Sequence, residues 1–269
     1  MTARDKSDKL ISYSITDKYK DRLAVKVYES REIMGLAAAE MVAEKINLLL
    51  AGQDFVNIIF ASAPSQNEFL AGLSRVGTIE WERVNAFHMD EYIGLPENDP
   101  RSFAYYLDDK IFGRRNFRSI NYINGNAPSI GEECKRYAKM LTSYPTDIVC
   151  LGIGENGHLA FNDPHVADFH DTSSVKMVKL DAECRRQQVD DGCFDHLTEV
   201  PAYAITLTIP ALMAGKHIYC VVPGAQKARA VYNTLNKEII EKYPSTILRD
   251  HANAVLFLDK DSSSLLGQD

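Results

Sequence analysis

Apolar residues along the chain fall into two alternating rhythms. Short apolar runs rich in β-branched residues read as strands at 23–28, 55–61, 84–89, 147–153, 173–180, 202–209, 217–224 and 254–259, with a shorter one at 120–124. Between them, apolar positions recur at helical spacing. Ser30 reads as an N-cap, followed by Ile33, Leu36, Ala37, Met41 and Ile46 through about Leu50. Further helices are predicted over 67–76, from Asp99-Pro100 to about Phe112, and from Ser129, whose Glu132 completes a capping-box spacing. Others follow over 182–189, at a turn opened by Pro210, over 226–235 and 245–251, and at the end of the chain. Strands alternating with helices predict an α/β fold: a doubly wound, mostly parallel, Rossmann-like sheet with helices on both faces. Residues 1–20 are polar and read as an N-terminal arm, and 21–269 as a single domain. The polar, Asp- and His-containing segment 164–200 reads as a lid.

A net charge of −7 over 269 residues argues against a general nucleic-acid or anionic-membrane binder. The five cysteines are scattered without a CxxC pair. With no signal stretch, they point to reduced thiols and a cytoplasmic protein. No apolar run reaches the roughly 18 residues of a membrane span.

Candidate chemistry gathers at the predicted strand ends. The stretch 151–164 (LGIGENGHLAFNDP) surrounds polar side chains with Gly152, Gly154 and Gly157, then places His158, Asn162 and Asp163 in quick succession. Polar groups at the C-terminal tip of a buried strand occupy the usual ligand position of an open α/β sheet. An ordinary strand-to-helix connection, with a capping Asn and a surface His, would look similar. After 55–61, Ser62, Ala63, Ser65 and Gln66 precede a helix whose free N–H groups suit a phosphate, although Ser before a helix is often only a cap. Asp90 and Glu91 end the strand at 84–89 and would point to opposite faces, so at most one reaches a cleft. A surface pair of acids is the plain alternative. His88 precedes them, and no metal-ligand spacing recurs, so no metal is expected. Lys227 sits in the first turn of a predicted helix, against the helix dipole, as a residue placed for an anion or a solvated lysine would.

Taken together, FHMDEYIGLPENDPRSFAYYL, INGNAP, GIGENGHLAFNDP, VPAYAITLTIP and GAQKA resemble the glucosamine-6-phosphate deaminase (isomerase) family, within the wider group that includes 6-phosphogluconolactonases. The pieces run in family order from about residue 55 to 235. The resemblance implies conversion of glucosamine 6-phosphate and water to fructose 6-phosphate and ammonia, without metal or organic cofactor. It implies that Asp90 moves a proton between C2 and C1, that His158 opens the pyranose ring with Asp163 in support, and that Lys227 binds the phosphate. Ser62, Ala63, Ser65, Gln66 and Gly157 join Lys227 as candidate substrate-binding positions, and Asn156 joins the catalytic set. It also implies a homo-oligomer acting on a small amino-sugar phosphate.

The chain departs from the family pattern at telling places. Asn156 stands where the family has Asp, Asp163 where it has Glu, and Ser62–Gln66 where it has a Thr-Gly-Gly-Thr loop. The family's phosphate-binding Arg has no firm counterpart, with Arg185 and Arg186 as candidates, and its allosteric basic residues are half matched by Lys176. An Asp→Asn change in a serine-protease triad costs about 10⁴ in kcat. Asp163 can supply the charge here, so altered rate or substrate is expected rather than loss of chemistry. A plain aldose–ketose isomerase, a lactonase and a non-catalytic sugar-phosphate sensor are the rival readings.

Overall fold

Every residue of Val56–Phe60, Val84–His88 and Ile148–Leu151 is buried, the pattern of strands covered on both faces. The structure, a computed structural model, describes residues 14–267. In chain order the elements are β1 (Thr16–Lys20), β2 (Leu23–Tyr28), α1 (Arg31–Leu50), β3 (Val56–Phe60), α2 (Asn67–Arg75), β4 (Val84–His88) and β5 (Asp90–Tyr92). There follow α3 (Phe103–Lys110), β6 (Ser119–Asn121), α4 (Ile130–Ser143), β7 (Ile148–Leu151), β8 (Val175–Lys179) and α5 (Ala182–Asp190). The last are β9 (Tyr203–Leu207), α6 (Ile209–Met213), β10 (His217–Val222), α7 (Ala228–Asn236) and β11 (Ala254–Asp259).

Eight strands form the main sheet in the order β1-β2-β11-β10-β7-β3-β4-β6. Its pairs are parallel apart from β1 with β2. Side chains of the central strands alternate between faces. Ile58, Phe60 and Cys150 pack with α1, α2 and α3 around Met34, Phe69 and Leu107. Ile59, Val149 and Leu151 pack with α4, α6 and α7 around Tyr137, Leu212 and Val231. The expected doubly wound, mostly parallel architecture is the one observed. Ser30, Ser102, Ser129 and Asp181 cap their helices through side-chain oxygens, each worth about 1 kcal/mol.

From β3 the chain runs outward through β4 and β6, then returns to the other side of β3 and proceeds through β7, β10 and β11. The winding direction therefore reverses between β3 and β7, and a crevice opens at their C-terminal ends.

A second, antiparallel sheet, β5-β9-β8, was not foreseen. β4 does not run on into Asp90: the chain switches sheets there, and Asp90 pairs with Thr206 of β9. This sheet has its own core of Tyr92, Leu95, Phe103, Phe161, Val178, Cys184 and Phe194. The 164–200 segment expected as a lid is anchored to that core through β8 and α5.

Other expectations need correction. Thr16–Lys20 of the supposed arm form edge strand β1, whereas residues 1–13 lie outside the described residues. The helix expected from Asp99-Pro100 starts at Phe103, because Asp99 instead bonds Arg101 at 2.6 Å. No helix begins at His158: Leu159 and Asn162 form an isolated bridge and Ala160 has φ of 50°. Residues 244–250 are a tight 3-10 segment, and turns follow β11.

Candidate active site

The C-terminal ends of four neighbouring strands, β10, β7, β3 and β4, supply the walls of one cleft. Ser62, Ala63, Ser65 and Gln66 follow β3. Asp90 follows β4. Gly152, Gly154 and His158 follow β7, and Lys227 follows β10. These strands are distant in sequence but adjacent in the sheet. Gln187 and Gln188 from α5 and the rings of Phe103 and Phe161 complete the lining.

The two neighbouring acids divide as the strand alternation requires. Asp90 lines the cleft, is 6% exposed, and is pushed well above its ordinary pKa by burial and then by Glu91. Glu91 turns away and holds the start of α3. Its Oε1 accepts the N–H groups of Tyr92 (2.9 Å) and Phe103 (3.1 Å), and its Oε2 that of Ala104 (2.8 Å). Burial still pushes Glu91 up to about 7.

His158 is fixed on its inner side. Its Nδ1 lies 3.0 Å from Asp163 Oδ1 and 2.9 Å from Asn156 Oδ1. Asn156 Oδ1 also accepts the His158 backbone N–H (3.0 Å), while Asn156 Nδ2 donates to Asp163 Oδ1 (2.9 Å). Two acceptors at Nδ1 favour the tautomer protonated there, which leaves Nε2 as the base on the cleft side. Burial alone would raise Asp163, but its bonds to His158 and Asn156 outweigh that and hold it below the ordinary value. Gly154 allows the ring to lie flat on the turn: a Cβ there would meet His158 atoms at 2.1–2.4 Å.

Lys227, also in the lining, is 6% exposed and makes no ion pair among the described residues. Burial lowers its pKa, and Asp191 and Glu155 partly offset that. Ser62 Oγ is buried without a hydrogen-bond partner among the described residues, and Ser65 Oγ accepts only from Gln66 Nε2. Both hydroxyls can donate to a ligand anion.

Several expected positions serve other purposes. Gln66 uses its amide nitrogen on Ser65 Oγ and the Val221 carbonyl (both 3.1 Å), so its side chain has no donor left for phosphate. Gly157, at φ of 89°, shapes the turn and its carbonyl accepts Ser245 N–H, outside the cleft lining. Arg185 donates to the Leu197 and Val200 carbonyls, and neither it nor Arg186 lines the cleft. Lys176 pairs with Asp171 at 2.8 Å. His88 is fully buried, accepts Ile123 N–H at Nε2 (2.7 Å), and is pushed down to about 3 by burial. It braces the strand end rather than entering the cleft.

Gln187 and Gln188 were missed. With Cys184 they form the buried face of α5 at i, i+3 and i+4, a polar face turned inward. Gln187 Oε1 accepts Glu155 N–H (3.0 Å), and Gln188 Oε1 accepts the Tyr92 hydroxyl (2.8 Å). The described residues also offer two groups able to hold a cation: His158, Asp163 and Cys184, all buried, and Asp163, His165 and Asp181, nearer the surface. In chemical terms the cleft joins a buried carboxylate base, an oriented imidazole and an ammonium group, which suits proton transfer on an anionic substrate.

Comparison with known proteins gives the same direction. Residues 29–257 match the family model described as glucosamine-6-phosphate isomerases/6-phosphogluconolactonase. A glucosamine-6-phosphate deaminase of Bacillus cereus is 34% identical over 194 residues, covering 72% of each chain. A deaminase of the same name from Bacillus thuringiensis matches to the same extent. A solved monomeric glucosamine-6-phosphate deaminase superposes with a TM-score of 0.82 at 28% identity, over 90% of this chain and 99% of its own. The 6-phosphogluconolactonase of Thermotoga maritima shares the fold, with a TM-score of 0.72 at 19% identity over 88% of this chain and 99% of its own.

Proposed function

This chain belongs to the glucosamine-6-phosphate isomerase/6-phosphogluconolactonase family, and from that premise we propose that it is an amino-sugar phosphate deaminase/isomerase. It converts glucosamine 6-phosphate, or a close relative, and water to fructose 6-phosphate and ammonia. The observation that carries this reading is the shared cleft of Asp90, His158 and Lys227.

Lys227, Ser62 and Ser65 hold the phosphate. His158 Nε2 takes the proton of the anomeric hydroxyl and returns it to the ring oxygen, which opens the pyranose. Asp163 stabilises the imidazolium in between, and Asn156 holds both partners in place. Asp90 then removes the C2 proton of the open aldehyde and delivers it to C1. The resulting C2 imine is hydrolysed by water to the ketone and ammonia. The raised pKa of Asp90 makes its carboxylate a stronger base than an ordinary one, provided the pH keeps it ionised.

The direct assay is ammonia release from glucosamine 6-phosphate, with fructose 6-phosphate formed in equal amount. Ketose without ammonia would indicate a plain aldose–ketose isomerase. Hydrolysis of 6-phosphogluconolactone would indicate the other branch of the family. Ligand binding with no exchange of the C2 hydrogen would indicate a sensor. A cytoplasmic homo-oligomer belongs to the same proposal. Since the structural relative is a monomer, light scattering is the check: a particle of 30.1 kDa would reject the oligomer.

A further inference from the structure

Behind the His158–Asp163 pair lies a feature that the proposed reaction does not use. Cys184 comes from the inner face of α5, is buried, and does not line the cleft. Its Sγ, a ring nitrogen of His158 and a carboxylate oxygen of Asp163 all lie within 4.8 Å of one another. Asp163 is fully buried, yet its Oδ2 has no hydrogen-bond partner among the described residues. The Cys184 thiol is the hydrogen-bonding neighbour of Asp163, and a cation that displaces the thiol proton would bind the sulfur and the free carboxylate oxygen together.

We propose that His158, Asp163 and Cys184 form a binding site for a borderline-soft divalent cation, zinc foremost, whose occupancy switches the cleft off. One imidazole, one carboxylate and one thiolate are a zinc-type donor set, with a fourth position left for water. Magnesium and calcium prefer oxygen donors, so the sulfur and nitrogen select against them. The charges balance: the cation meets one carboxylate and one thiolate, so the buried centre is neutral. Asn156 Nδ2, bonded to Asp163 Oδ1 at 2.9 Å, is the outer partner that orients the carboxylate. On binding, the Cys184 thiol proton leaves to solvent and the His158 proton moves from Nδ1 to Nε2. The nitrogen facing the cleft then carries a hydrogen and has no lone pair with which to accept the anomeric proton. Only this effect on turnover rests on the deaminase reading; the site itself does not.

The test titrates the full-length protein with Co²⁺ and follows the thiolate-to-cobalt absorption band in the near ultraviolet. The band should rise to one equivalent and be displaced by Zn²⁺. It should be absent in Cys184→Ala and retained in Cys193→Ala, whose cysteine is not in the cluster. In the ammonia assay, micromolar Zn²⁺ should lower the rate at least tenfold, and a chelator should restore it. Cys184→Ala should keep the metal-free rate within about twofold and need at least tenfold more Zn²⁺ for half inhibition. A Co²⁺ complex of the unaltered protein without a thiolate band overturns the site, whatever the activity. So does a band that survives Cys184→Ala. A Cys184-dependent band in protein that releases no ammonia upholds the site and rejects the deaminase reading instead.

Discussion

Asp90 and Asp163 are both buried carboxylates, one lining the cleft and the other bonded to His158, and their surroundings drive them in opposite directions. Asp90 has no cation or N–H group among the causes acting on it; burial and the neighbouring Glu91 hold its proton on. Asp163 is buried as well, but the bonds from His158 and Asn156 hold it below the ordinary carboxylate value. The difference shows that burial alone does not decide a carboxylate's role. The unpartnered acid is suited to exchange protons with a substrate, and the bonded acid to hold charge against an imidazolium.

Removing the unpartnered acid should have the largest effect. Asp90→Asn should lower the rate of ammonia release about 10³-fold or more, within the range for loss of a general base, while phosphate-dependent ligand binding, followed by thermal shift, persists. Asp163→Asn should cost about 10²–10⁴ in kcat, with the imidazole retained but its charged form unsupported. An unchanged kcat would make Asn156 a sufficient partner and dissolve the contrast. Gly154→Ala, which drives a methyl into the His158 ring, should lower kcat at least tenfold and leave the Lys227 end, read through the affinity for inorganic phosphate, unaltered.

Stability should separate the same two acids with opposite sign. The folded state holds the Asp90 proton more tightly than the unfolded chain, so stability is lost as pH rises from the ordinary carboxylate range through its raised pKa. Asp90→Asn should therefore raise Tm at pH 7. Asp163, with its lowered pKa, stabilises the fold above the ordinary carboxylate range, and that contribution disappears as pH falls through its folded value. Asp163→Asn should lower Tm at pH 7, and the difference from the unaltered protein should shrink toward pH 3. Equal shifts of one sign would break the comparison. The smallest effect belongs to Asn156→Asp: with Asp163 already supplying charge, kcat should change by only a few fold.

The strand–helix alternation made the main sheet legible because buried parallel strands leave near-continuous apolar runs, as in 147–153. The second sheet was hidden because its register depends on Asp90 meeting Thr206, a pairing across more than a hundred residues that no local pattern encodes. That Asp90, His158 and Lys227 share one cleft was readable because each sits in a distinctive motif at a strand end. The other bonds of Gln66 and Gly157 were not legible for a physical reason: side-chain type suggests what a group can do, but not which neighbour already occupies it. Gln187 and Gln188 were missed because a polar helix face reads as solvent-facing until the core behind it is known. The missing arginine has a related lesson, since Arg185 spends its guanidinium on carbonyls of its own segment.

The central claim is that Asp90 carries one proton from C2 to C1 inside a cleft shared with His158 and Lys227. Turnover of glucosamine 6-phosphate in D₂O, with the ketose product examined by NMR, tests it most directly. The account predicts fructose 6-phosphate in which part of the product retains the former C2 hydrogen at C1, ammonia in equal amount, and both products formed about 10³-fold or more slowly by Asp90→Asn. Ammonia and ketose formed at an undiminished rate by Asp90→Asn would contradict it.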